Sequence, residues 1–156
     1  MSSIESILDD KGCYILALRV TKNHHVSTRR RQFIIDEGVY FYVGSARGSG
    51  GVKARVFRHL FPKAKRFWHI DYLLQEDVAK IAGFYVLSDN PPVDCEAELS
   101  RIMLSHFKPV PGFGCSDKRK DYSHLFKCLG SLKECLSRLY SVLTANHMEP
   151  LWIQNI

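Results

Sequence analysis

The sequence has no stretch of about eighteen apolar residues, the length a helix needs to cross a bilayer, so solubility is expected. Export is not expected either. The opening MSSIESILDDKG carries acids where a secretory leader carries bases, and no long apolar run ends at a small-residue cleavage site. Cysteines are few, odd in number and scattered, at Cys13, Cys95, Cys115, Cys128 and Cys135, with no C-x-x-C pair among them. That usage fits a reducing compartment better than a disulfide framework, and it makes the cytoplasm the expected location. Acidic residues are outnumbered 16 to 22 by Lys and Arg, giving a net charge of +6, which favours an anionic partner. No repeat or low-complexity segment appears.

What is present is a globular composition, 46% apolar and 24% charged over 156 residues, enough for a single domain with a real core. CYILALRV (13–20) is short and rich in β-formers and reads as a strand, HHVSTRRRQFII (24–35) as a second, and VYFYV (39–43) as the clearest one. With no room for crossover helices, the three are expected to form an antiparallel set. From Val52 the period changes: Val52, Val56 and Leu60 recur every four residues and predict a helix, with Arg55 and His59 on a flanking stripe between core and solvent. FWHIDYLLQED predicts a short helix, IAGFYVL a strand, and CEAELSRIMLSHF a helix with Leu99, Ile102 and Met103 inward. The segment 108–128 reads as an ordered loop tied down by Phe113, Tyr122 and Phe126. Ser131 with Glu134 forms a capping box that starts a last amphipathic helix, about 131–147, followed by a short tail.

The basic residues are not spread evenly. Acids thin out from Val52 to His69, where Lys53, Arg55, Arg58, Lys63, Lys65 and Arg66 collect beside Phe57, Phe61, Phe67 and Trp68. Basic residues interleaved with aromatics suit a phosphate-tracking surface with stacking platforms; the plainer alternative is a solvated helix face beside core aromatics. The turn GSARGSGG (44–51) is not a phosphate-binding P-loop, because no Lys-Ser or Lys-Thr follows its last glycine.

Several of these residues stand in a familiar order. Gly12-Cys13-Tyr14 on the first strand, Tyr42-Val43-Gly44 on a later one, Arg55 and His59 on the next helix and Glu96 opening another resemble the GIY-YIG nuclease superfamily. GVYFYVGSARGSGGVKARVFRHL, WHIDYLL and PGFGCSDKRKDYSHLF look like one branch of it, long carried as a domain of unknown function. The resemblance covers about residues 12–128. It implies an α+β fold, a small central antiparallel or mixed β-sheet flanked by helices, with a metal-dependent phosphodiesterase site on its face. Carried over, the catalytic set is Tyr14, Tyr42, Arg55, His59 and Glu96, with Glu96 holding one Mg²⁺ or Mn²⁺ ion. Substrate contacts are expected from Arg47, Lys53, Arg58 and His69, and Ser116 or Asp117 stands where the family commonly has a closing Asn. Tyr14 and Tyr42 are further apart in sequence than in the family's short hairpin, so an extra strand carrying Arg29, Arg30 and Arg31 is expected between them.

Those residue types suit the chemistry on their own account. Phosphodiester cleavage builds negative charge on phosphoryl and leaving oxygens, which a fixed guanidinium such as Arg55 and a hard cation on Glu96 would neutralise. A water must also lose a proton. A phenol at its ordinary pKa of about 10 is a poor base at neutral pH unless cations lower it. Tyr42, next to the basic helix, is the candidate for activating or orienting the water and Tyr14 its partner, though the roles are exchangeable. Taken singly each residue has a plain reading: half-buried strand tyrosines, a solvated Arg55 and His59, a first-turn glutamate at Glu96.

Other constellations are weaker. His69 in WHIDY either assists phosphate binding or is a hydrogen-bonded histidine inside an aromatic cluster. Cys115, His124 and Cys128 offer zinc-compatible chemistry, but their spacing matches no common zinc pattern, and a Cys115–His124 nucleophile is no better supported. The leading expectation is an endonuclease acting on nucleic acid, DNA in preference to RNA. The alternatives are a nucleic-acid-binding module on the same fold that no longer cuts, and a protein-interaction domain using the exposed Trp152 and Ile153 of the tail.

Overall fold

Two nine-residue runs, 12–20 and 38–46, hold the longest buried apolar stretches, and they lie side by side in the middle of the sheet. The computed structural model describes residues 12–28, 30–46, 51–61, 69–75, 77–87, 95–115 and 121–154. Within them the chain runs through β1 (Gly12–Val20), β2 (His24–Ser27), β3 (Gln32–Ile35), β4 (Gly38–Ala46), α1 (Gly51–Leu60), α2 (His69–Leu74) and β5 (Ala79–Leu87). It continues through α3 (Cys95–Leu104), β6 (Lys108–Pro109), β7 (Leu125–Cys128), α4 (Leu132–Ala145) and β8 (Pro150–Gln154). The main sheet has the order β6-β7-β4-β1-β5-β8, and every neighbouring pair is antiparallel. The fold is α+β.

β1 buries all but Arg19, the signature of a strand covered on both faces. Its alternation divides the core in two. Tyr14, Leu16 and Leu18, with Tyr40 and Tyr42 of β4, pack against Val52 and Val56 of α1 and Ile70 and Leu73 of α2. Cys13, Ile15 and Ala17 face the other way, onto Leu99 and Met103 of α3 and Leu139 and Leu143 of α4. Burying each such aliphatic side chain contributes about 1.5–3 kcal/mol, so both helical layers are fixed by the strand's period of two. Tyr14 and Tyr42 therefore share one face: Tyr14 lies opposite Gly44, and Leu16 opposite Tyr42. The capping box of α4 forms as its sequence requires, Ser131 Oγ accepting from the Glu134 N–H and the Glu134 carboxylate accepting from the Ser131 N–H.

Four expectations need correction. Residues 24–35 do not add a strand to the central set; β2 and β3 form a separate two-stranded hairpin, docked through Val26, Phe33 and Ile35 on the tyrosine-bearing face. Arg30 and Arg31 lie in its turn, where the Thr28 N–H donates to the Arg31 carbonyl; Arg29 falls outside the described residues. The cysteines are not all free thiols: Cys13 is bonded to Cys95 and Cys128 to Cys135, leaving Cys115 as the unbonded one. That pairing removes the ground on which a reducing compartment was inferred. The tail is not loose, because β8 pairs with β5 and Trp152 is half-buried against Tyr85, with ring centroids 5.0 Å apart. In the 108–128 segment, Phe113 and Phe126 are fully buried anchors while Tyr122 is exposed. Among the described residues no helix is long and apolar enough to cross a membrane.

Candidate active site

Tyr14 projects from β1 beneath α1, and Gly44 on β4 makes room for it. A Cβ on Gly44 would lie 2.5 Å from Tyr14 Oη and 2.7 Å from its Cε2, so only glycine lets the ring cross the neighbouring strand here. Tyr14 Oη then meets His59 Nε2 at 2.7 Å, a hydrogen bond between residues 45 positions apart. Tyr42 sets its ring edge-on to the same imidazole, with centroids 6.1 Å apart. His59 thus sits between the two tyrosines. The helical spacing placed it at the margin of the core, but it is buried, 3% exposed, because α1 packs flat against the tyrosine-bearing face.

Burial sets the protonation states. It pushes the His59 imidazole down to about 4, with Asp71 opposing and Arg55 and Arg58 adding to the effect, so the ring is neutral at pH 7. Burial also raises both phenols well above their ordinary range. For Tyr14 the next largest influence is Arg55, which pulls downward; for Tyr42 it is Tyr14, followed by Glu96 and Asp71, all pushing further up. Tyr14 and Tyr42 each feel the charges of Arg55, Glu96 and Asp71, so α1, the start of α2 and the start of α3 converge on them.

Glu96 stands second in α3, half-buried, and beside it are two residues that the sequence pattern did not put in the set. His124 Nε2 lies 2.8 Å from Asp121 Oδ2 and 3.8 Å from Glu96 Oε1, and the ligand atoms of all three are within 4.8 Å of one another. That span is about twice a metal–oxygen distance of about 2.0–2.6 Å, and a donor set of two carboxylates and one imidazole can hold a divalent cation. His124 is buried and rigidly placed. Its N–H donates to the Phe113 carbonyl at 2.8 Å, and its carbonyl accepts from the Val43 N–H at 2.8 Å, directly beside Tyr42. Gly114, at φ +79°, leaves space for the His124 Cβ and the Tyr42 ring, which a side chain there would meet at 3.1 and 3.2 Å. Asp121 also borders an open cleft of about 340 Å³ lined by Glu98, Arg101 and Tyr122.

The remaining expected residues have distinct places. Arg58 donates to Asp71 at 3.0 Å and ties α1 to α2; the carboxylate is buried, the guanidinium partly exposed. His69 accepts the Gly114 N–H at Nδ1, 2.8 Å away, between Phe33 and Phe113, the aromatic-cluster alternative of the sequence reading. Lys53 is on the exposed side of α1. Arg47, Ser116 and Asp117 lie outside the described residues. The Cys115–His124–Cys128 zinc set is not available, since Cys128 is bonded to Cys135, and burial raises the Cys115 thiol above its ordinary range. Phe57 of α1 and Phe61 just past its end, 50% and 67% exposed, stack on each other with centroids 5.8 Å apart, so they are surface aromatics and not core.

Basic α1, two buried phenols around a neutral imidazole, and a carboxylate–imidazole cluster thus meet in one place. The family described as Domain of unknown function DUF123 matches residues 13–145, and the chain belongs to it. No curated protein and no solved structure matches the chain.

Proposed function

We propose that this protein is a GIY-YIG-type endonuclease that hydrolyses phosphodiester bonds in nucleic acid with the help of one Mg²⁺ or Mn²⁺ ion. The observation that carries the reading is the convergence of Tyr14, Tyr42, Arg55, His59 and Glu96, drawn from four separate elements, on one patch of the sheet. Asp121 and His124, next to Glu96, supply the polar side of the site for which the sequence offered only Ser116 or Asp117.

In this reading Arg55 grips the phosphoryl oxygens, and Glu96, Asp121 and His124 hold the cation. When bound, the ion neutralises charge developing on the phosphoryl group and lowers the pKa of nearby acids. Tyr42 orients the attacking water. The 2.7 Å contact between Tyr14 Oη and His59 Nε2 fixes the phenol in place, and because an imidazole held near 4 is a weak proton acceptor, it falls to Arg55 and the cation to lower the phenol's pKa. The stacked Phe57 and Phe61, flanked by Lys53 and Arg58, suit contact with bases beside a phosphate backbone.

The test is nicking of supercoiled DNA, with RNA in parallel. Cleavage should require Mn²⁺ or Mg²⁺ and fall at least about a hundredfold in Glu96→Gln and Arg55→Ala, while Glu96→Gln still binds DNA in EDTA. The non-cutting alternative draws on the same Phe57 and Phe61 surface. It holds instead if no metal supports cleavage and Glu96→Gln binds as well as or better than the parent chain.

A further inference from the structure

The disulfide between Cys13 and Cys95 joins the residues that immediately precede Tyr14 and Glu96. Successive strand side chains point to opposite faces, so Cys13 reaches under the sheet while Tyr14 points into the site. There its sulfur is bonded to the first residue of α3, the Cα atoms 6.2 Å apart across 82 positions of sequence. The next residue of that helix is Glu96, whose carboxylate reaches His124 at 3.8 Å. The next side chain anchoring α3 to the same core is Leu99, a turn further on. A helix's first turn is its least secured part, since its N–H groups have no partners within the helix.

We infer that the Cys13–Cys95 disulfide is a positioning clamp: it holds Glu96 in register with Tyr14 and with Asp121 and His124, so that its redox state sets the affinity of the cation site. This rests on the metal reading above. Reduction by a dithiol is balanced. The S–S bond takes two electrons and two protons to give the Cys13 and Cys95 thiols, and the dithiol closes to its own disulfide. Cys95 is then attached to β1 only by packing, and Glu96 loses the covalent tie that fixes its helix turn. The second disulfide, Cys128–Cys135, joins the end of β7 to the first turn of α4 and adjoins none of the site residues, so it serves as the control.

The experiment is Mn²⁺ binding, read by electron paramagnetic resonance, on the full chain carrying Cys128→Ala and Cys135→Ala. It is run oxidised and after treatment with dithiothreitol, with circular dichroism following the fold. Oxidised, this variant should bind Mn²⁺ like the parent chain; reduced, it should bind about tenfold more weakly with its fold retained. Cys13→Ala with Cys95→Ala should reproduce the loss without reductant. If cleavage is observed, the clamp further requires that excess Mn²⁺ restores the turnover of the reduced protein, because a displaced ligand weakens metal binding without changing the remaining groups. Equal affinity in both redox states overturns the clamp, as does an affinity lost only in step with the circular dichroism signal. A parent chain that binds no Mn²⁺ overturns the metal reading and the clamp together, whereas binding that is redox-sensitive without cleavage upholds the clamp and removes the nuclease.

Discussion

Desolvation outweighs the charges around His59. Asp71 favours its cationic form, but burial between α1 and the sheet, against Tyr14 and Tyr42, holds the imidazole near 4 in the folded chain, against 6.5 ordinarily. The unfolded chain therefore binds more protons between those values, and stability rises with pH across that window. The neutral ring's contribution is fully present above about pH 6.5, and as pH falls toward 4 about 3 kcal/mol is lost. Urea unfolding measured from pH 7 to pH 4 should show that slope, and His59→Gln should flatten it. Gly44 makes a steric prediction. A methyl group there must push the Tyr14 ring aside, so Gly44→Ala should cost about 1–3 kcal/mol in denaturant unfolding and break the Tyr14–His59 bond. The residues of this pair were legible as candidates because Tyr14, Gly44 and His59 stand in a known order. Their contact was not, since it depends on β1 and β4 being in register and on α1 lying across them.

Elements were readable where a local rule dominates. The strand read at 39–43 and the helix announced by Ser131 carry strong signals, an apolar run and a capping box; the first forms and extends to 38–46, and the second starts at Leu132 with Ser131 as its cap. The box should be measurable: Ser131→Ala removes the side-chain acceptor for the Glu134 N–H and should cost about 1 kcal/mol in thermal or chemical unfolding. The hairpin at 24–35 was misread because its turn, Thr28 to Arg31, contains neither glycine nor proline. It is closed by the Thr28–Arg31 backbone hydrogen bond and by Thr28 Oγ1, which no composition rule announces. β8 was misread for another reason. PLWIQ lacks the alternation of a half-buried strand, and only the open edge of β5, distant in sequence, makes it one.

At the scale of the whole molecule the proposed nucleic-acid substrate makes a prediction for the excess positive charge. A footprint of about four phosphates predicts about a hundredfold loss of DNA affinity between about 50 and 200 mM salt, measured in EDTA so that cleavage does not interfere. A shallow salt dependence would argue that the basic, aromatic-bearing side of α1 is not a backbone-tracking surface. The sequence by itself determined where the main strands and helices run, and its resemblance to the GIY-YIG superfamily implied the α+β class and Tyr14, Tyr42, Arg55, His59 and Glu96 as a candidate set. Periodicity and the order of motif residues are both properties of the chain read along its length. Only the tertiary structure decided that Asp121 and His124 stand beside Glu96, that His59 is buried and neutral, and that Cys13 reaches Cys95. Each of these is a distance between residues remote along the chain, fixed by which strands pair and which helix covers which face.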